Sequence, residues 1–89
     1  MANYKQISAS TNIKTMPGKL KGIFVSAASA TPTITVYDSA ATSTSDPKVL
    51  DTFTPVAATS YLLPLDGAYT KNGIYVVISG TVSATVIFE

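Results

Sequence analysis

Turn residues recur at short intervals between runs of β-branched residues, and that alternation is what most limits the folds open to this chain. Pro17-Gly18, Pro32, Pro47, Pro55, Asp66-Gly67, Asn72-Gly73 and Ser79-Gly80 punctuate segments dominated by Val, Ile and Thr, which together supply 28 of the 89 residues. Punctuation this dense between β-formers predicts an all-β protein. No stretch sustains apolar residues at i, i+3, i+4 and i+7, so no helix is expected. The predicted strands are 4–9, 11–15, 19–27, 33–38, 48–54, 60–65, 74–79 and 81–88. The first two read as one strand bent by a bulge at Ser10-Thr11. Pro64 lacks a ladder donor, so 60–65 should lie at an edge or stop early. Pro17-Gly18 suits the centre of a type II turn. The small, polar stretch 39–46 reads as an exposed loop.

These strands predict a single antiparallel β-sandwich, jelly-roll or immunoglobulin-like, of about seven or eight short strands, with residues 1–89 as one domain. The apolar content is 46%, but eleven of those residues are Ala, so the large side chains suffice for one core and little more. The last third fixes a register. Ile74, Val76, Ile78, Val82, Ala84, Val86 and Phe88 all fall on even positions. A two-residue loop at Ser79-Gly80 would set apolar residues against polar ones on one face. A three-residue loop, or strands placed in opposed sheets, keeps the even set together. In each acceptable case the even set is core, and Tyr75, Ser83 and Thr85 face outward.

Composition removes most chemistry. Cys, His, Trp and Arg are absent, which excludes disulfides, Cys/His metal centres, and thiol or imidazole catalysis. Ser and Lys are plentiful, yet no spacing singles out an activated nucleophile. Asp38 and Asp46 flank the polar loop and could together offer oxygen ligands to Ca²⁺. The competing reading makes them ordinary turn residues, since no Asp-x-Asp-x-Asp-Gly loop is present. No catalytic residue, cofactor or metal is therefore expected. Charged residues make up 12% of the chain and the net charge is +1, against about 25% charged in ordinary domains. A surface so sparingly charged is poorly guarded against association.

Lys14, Lys19 and Lys21 gather around Pro17-Gly18. They read either as a contact patch for an acidic partner or as edge lysines that discourage mispairing. With no Arg and almost no net charge, nucleic acid is not an expected partner. The tyrosines Tyr37, Tyr61, Tyr69 and Tyr75 could form a sugar platform, although strand tyrosines more often pack half-buried. The amino-terminal residues lack the apolar stretch of a signal peptide. No run approaches the roughly 20 apolar residues of a membrane helix. A soluble, cytoplasmically made protein without a membrane partner is the expectation.

Two regions carry a resemblance. They are Gly18-Lys19-Leu20-Lys21-Gly22-Ile23-Phe24-Val25-Ser26 with Thr33-Ile34-Thr35-Val36-Tyr37-Asp38, and the half from Lys48 onward, including Val49-Leu50-Asp51-Thr52-Phe53-Thr54-Pro55 and Asn72-Gly73-Ile74-Tyr75-Val76-Val77-Ile78-Ser79-Gly80-Thr81-Val82. Over most of its length the chain resembles small structural proteins of tailed bacteriophages. The resemblance implies a capsid decoration or cement protein, commonly a homotrimer, bound to the major capsid protein on the virion surface after assembly in a bacterial cytoplasm. It carries no contact motif that assigns partner-binding residues. A neck, tail or fibre component and a small glycan-binding module are the alternatives.

Overall fold

A computed structural model of the chain describes residues 3–63 and 67–89. Among these residues seven strands form one antiparallel sheet: β1 (Asn3–Ile7), β2 (Thr11–Lys14), β3 (Gly18–Tyr37), β4 (Lys48–Phe53), β5 (Thr59–Leu62), β6 (Ala68–Thr70) and β7 (Ile74–Phe88). The fold is all-β. Its axis is the β3–β7 ladder, which pairs Leu20 with Phe88 at one end and Tyr37 with Tyr75 at the other. On the far side of β7 lie β1 and β2; on the far side of β3 lie β4, β5 and β6.

Strand length forces this sheet to fold over. At about 3.3 Å per residue, the 20 residues of β3 would reach roughly twice the molecule's longest dimension of 32 Å. The bend falls where Ser29 pairs with Thr81 and Thr33 with Ser79, leaving 30–32 opposite Gly80 alone. Gly80 has φ +88° and Thr31 φ +48°. Left-handed backbone is cheap for glycine and costly for a β-branched residue. Once folded, the sheet covers itself. Leu20, Ile23, Val25, Val82, Ala84 and Val86 from one half meet Ile34, Val36, Ile74 and Val76 from the other in one buried cluster. Burying each large aliphatic side chain is worth about 1.5–3 kcal/mol.

Several sequence expectations are corrected here. Predicted strands 19–27 and 33–38 are halves of β3, and 74–79 and 81–88 are halves of β7. Ser79-Gly80 is thus a bend within a strand, not a hairpin loop. In place of two separate sheets, as in a jelly roll or immunoglobulin sandwich, one sheet curls onto itself. Gly18 already belongs to β3, and positive φ occurs at Gly67 and Gly80 but not at Gly18, so Pro17-Gly18 forms no type II turn. The strand expected at 60–65 is β5 at 59–62; Pro64 and Asp66 lie outside the described residues. The short β6 had no counterpart in the sequence reading. β1 and β2 do share one edge of β7, but 8–10 separate them instead of a one-residue bulge. Ser10 bridges that gap: its hydroxyl accepts the Ile78 N–H at 2.9 Å and lies 3.3 Å from the Ile78 carbonyl.

The even-numbered core of β7 holds. Ile74, Val76, Val82, Ala84 and Val86 are buried, whereas Ile78 and Phe88, expected in the core, are half-buried, as are the outward Tyr75, Ser83 and Thr85. The uncharged, β-prone run 74–78 would invite mispairing on an open edge, but β2 and β3 flank it on both sides.

Asp38 closes the second half of the sheet. Its carboxylate accepts the N–H groups of Lys71 at 3.1 Å, Asn72 at 2.8 Å and Gly73 at 3.3 Å, and its own N–H donates to Pro47. Partial burial pulls its pKa upward, but the N–H groups of Asn72, Lys71 and Gly73 and the charge of Lys71 outweigh that. The net effect is a value below the ordinary 3.8. A carboxyl whose pKa is lowered by folding contributes stability above its unfolded pKa and loses it as pH falls through the folded value. Acid titration of the melting temperature should therefore show a fall below about pH 4 that Asp38→Asn partly removes. The same variant should be less stable at neutral pH by roughly 1–2 kcal/mol, having lost charge-assisted hydrogen bonds. Chelation should leave the wild-type melting temperature unchanged. A shift of several degrees that Ca²⁺ reverses would contradict this account of Asp38.

Candidate interaction surface

Strand register puts two rows of side chains on the outer face of the first half-sheet. Val86 and Ala84 point into the core, so the alternate residues Ile87 and Thr85 point out. Ile87 pairs with Tyr4 on one side and Gly22 on the other, and Gly22 pairs with Leu62. Likewise Thr85 lies between Gln6 and Phe24, and Phe24 pairs with Ser60. The result is Tyr4–Ile87–Gly22–Leu62 beside Gln6–Thr85–Phe24–Ser60 across four strands, with no charged side chain in either row. Tyr4 is 76% exposed, Leu62 68% and Phe24 38%. Gly22 shapes this face, because a Cβ there would stand 2.8 Å from Leu62 Cδ2. Its bare backbone lets Leu62 lie close against β3. Cross-strand neighbours at this spacing make a continuous patch.

Beyond Leu62 the face runs into a groove of about 400 Å³ between the outer edges of β4 and β5. It is lined by Leu50, Asp51, Phe53, Tyr61, Leu62 and Leu63. Its aromatic wall is fixed. The rings of Phe53 and Tyr61 are 5.0 Å apart, and the Tyr61 hydroxyl accepts the Val56 N–H at 2.7 Å. Among the described residues lining it, Asp51 supplies the one charge. The N–H of Thr52, then the hydrogen bond and charge of Lys48, hold its pKa below the ordinary value, so it is ionised at neutral pH. Both bonds, at 2.7 and 3.2 Å, fall on Oδ1, which leaves Oδ2 to accept another donor.

The lysine cluster lies at the amino-terminal end of β3, where the Leu63 N–H donates to the Lys21 carbonyl at 3.0 Å. The stem of Lys14 crosses over Gly18. Lys19 and Lys21 approach the Glu89 carboxylate at 4.0 and 3.8 Å, while the Lys19 and Glu89 backbones exchange two hydrogen bonds. Lys14, Lys19 and Lys21 do come together, with an acid in their midst that offsets part of their charge. The tyrosines divide differently. Tyr37 and Tyr75 stack on each other at 6.2 Å and Tyr61 is the groove wall. Of the four suggested as a sugar platform, Tyr69 is the exposed one. No group of three or more acidic residues converges as a metal site among the described residues.

Sequence reasoning missed Tyr4, Phe24, Leu62 and the groove. Ile87 falls on the outward, odd-numbered parity of β7, a signal that was available; the groove unites strands whose proximity no local pattern records. Comparison of the chain with protein-family models, with characterised proteins and with solved structures finds no match.

Proposed function

We propose that this chain is a non-enzymatic structural protein that works by adhesion, as a decoration or cement protein on the head of a tailed phage. The observation that carries the reading is the uncharged outer face bearing Tyr4, Phe24 and Leu62 exposed in adjacent rows. Large apolar side chains held exposed on the outer face of a sheet mark a surface for another protein. The β3–β7 ladder, folded over at Gly80, ties both halves of the molecule together, which suits a part that bears load. The resemblance to phage structural proteins supplies the setting, with the major capsid protein as partner. Many equivalent copies on a capsid would make individually weak contacts effective.

The test is co-sedimentation of the purified protein with heads that lack it, followed by heating of the loaded heads. Saturable binding and a higher disruption temperature are expected. Heads that neither bind the protein nor gain heat resistance would rule out decoration and favour a neck, tail or fibre position.

A further inference from the structure

We infer that Asn72-Gly73 is a deamidation site that the fold keeps latent, with Asp38 as its guard. Of the asparagines Asn3, Asn12 and Asn72, the last is the one followed by glycine. An Asn-Gly pair is chemically labile, because glycine has no side chain to hinder attack by its own backbone nitrogen. That nitrogen, once it has lost its proton to hydroxide, attacks the Asn72 Cγ. The bond from Cγ to Nδ2 breaks, ammonia leaves, and a five-membered succinimide remains. Water then opens the ring at one of its two carbonyls. Cleavage on the side-chain carbonyl gives aspartate. Cleavage on the main-chain carbonyl gives isoaspartate, whose backbone runs through the former side chain. The net change takes in one water and releases one ammonia.

The folded chain opposes each step. Asn72 is exposed, so water and hydroxide reach it, but the reacting groups are held. The Gly73 N–H donates to Asp38 Oδ1 at 3.3 Å, the Asn72 N–H to the same oxygen at 2.8 Å, and the Lys71 N–H to Oδ2 at 3.1 Å. Deprotonating Gly73 would set an anionic nitrogen against a carboxylate, which like-charge repulsion disfavours. Despite the upward pull of partial burial, the N–H groups of Asn72, Lys71 and Gly73 keep the Asp38 pKa below its ordinary value, so Asp38 is also a weak base for that proton. The Asn72 amide is tethered too, since Nδ2 donates to the Asp38 carbonyl at 3.3 Å. Ring closure needs the 72–73 peptide to turn toward Cγ, and Gly73 has no room to do so. It is buried, and a Cβ there would collide with the Lys14 carbonyl oxygen and stand 2.7 Å from that of Ser39. Fully buried Thr70 and Ile74 pin the segment on either side. Reaction therefore waits on local opening of the Asp38 clamp. Afterwards the clamp cannot reclose as before. The product sets a second carboxylate beside Asp38, and isoaspartate adds a carbon to a main chain whose three N–H groups must converge. The change runs one way.

Peptide mapping by mass spectrometry at mildly alkaline pH tests this on the full chain. The mass gain of amide-to-acid conversion separates it from isomerisation at Asp66-Gly67, which leaves mass unchanged. Folded wild type should deamidate at Asn72 roughly tenfold or more slowly than the same chain in urea. Asp38→Asn keeps the shape of the clamp without its charge and should raise the folded rate roughly five- to thirtyfold. Ile23→Val is a comparably mild loss in the buried core of the other half-sheet and should leave the rate within about twofold of wild type. Circular dichroism checks that both variants fold, and the comparison of folded with urea-unfolded wild type needs no variant. Deamidated chain, separated by ion exchange through its added negative charge, should melt several degrees below the unmodified protein. Equal rates in the folded and unfolded chain would show that nothing guards Asn72, and equal acceleration by Asp38→Asn and Ile23→Val would show that reaction passes through global unfolding. Either result overturns the inference, and a deamidated chain that melts like the unmodified one overturns its one-way character.

Discussion

Gly80→Ala should cost this protein about 2–4 kcal/mol and lower its melting temperature by 10 °C or more. Two penalties add. At φ +88° an L-residue pays roughly 1–2 kcal/mol for left-handed backbone. The new methyl would also stand 2.8 Å from the Cα of Pro32 and 3.1 Å from its Cβ. Those atoms are held on the opposing strand of the bend, so they cannot swing aside as the end of a flexible side chain would. Relief requires β3 and β7 to separate where the sheet folds over, and that loosens both halves of the core. Thr31→Gly is the matching control. Thr31 has φ +48° on a β-branched residue, so glycine should relieve strain and offset its own added chain entropy, leaving stability within about 1 kcal/mol of wild type or slightly above. Urea and thermal unfolding of both variants would check the pair. A neutral Gly80→Ala would mean that the fold-over is not built on this residue.

The bend also explains which parts of the fold were legible. β7 keeps its core on even positions from Ile74 to Val86 because β7 contributes no extra residue at any irregularity. At each register shift along the β3–β7 ladder the surplus falls on β3: Lys21, Ser26, and two residues within 30–32. The inward set on β3 therefore changes parity, from Leu20 to Ile23 and Val25 and back to Ile34 and Val36. A period-2 pattern that slips reads as the end of a strand, and Pro32 strengthens that impression. Ser79-Gly80 looks like a hairpin for the same reason, although its φ > 0 residue serves a corner. The three residues of β6 are too few to show any period. Asp38 directly follows β3, as a strand-ending residue does, but the partners of its carboxylate at 71–73 are tertiary. The outer face follows once register is known, whereas the groove depends on β4 and β5 meeting across the fold-over, which no spacing within either strand encodes.

Leu20→Ala and Leu62→Ala delete the same atoms and should have opposite consequences. Leu20 is fully buried in the first half-sheet, paired with Phe88 and Ala68, so truncation removes its transfer energy and leaves a cavity. The expected loss is about 2–5 kcal/mol. A chain of 89 residues has about 4–13 kcal/mol of total stability at ordinary values per residue, so this one change removes a large share and should unfold part of the population at moderate temperature. Leu62 stands 68% exposed over the bare backbone of Gly22. Its truncation removes little buried surface, and monomer stability should change by less than about 0.5 kcal/mol. What Leu62→Ala should weaken is association, because the side chain belongs to both the outer face and the groove mouth. Chemical denaturation isolates the first quantity, and co-sedimentation with heads that lack the protein isolates the second. Equal destabilisation by the two truncations would show that Leu62 packs as core, and the exposed apolar face would lose its role in adhesion. If only Leu20→Ala is destabilising and only Leu62→Ala weakens binding to heads, the residues that hold the fold are separated from those that use it.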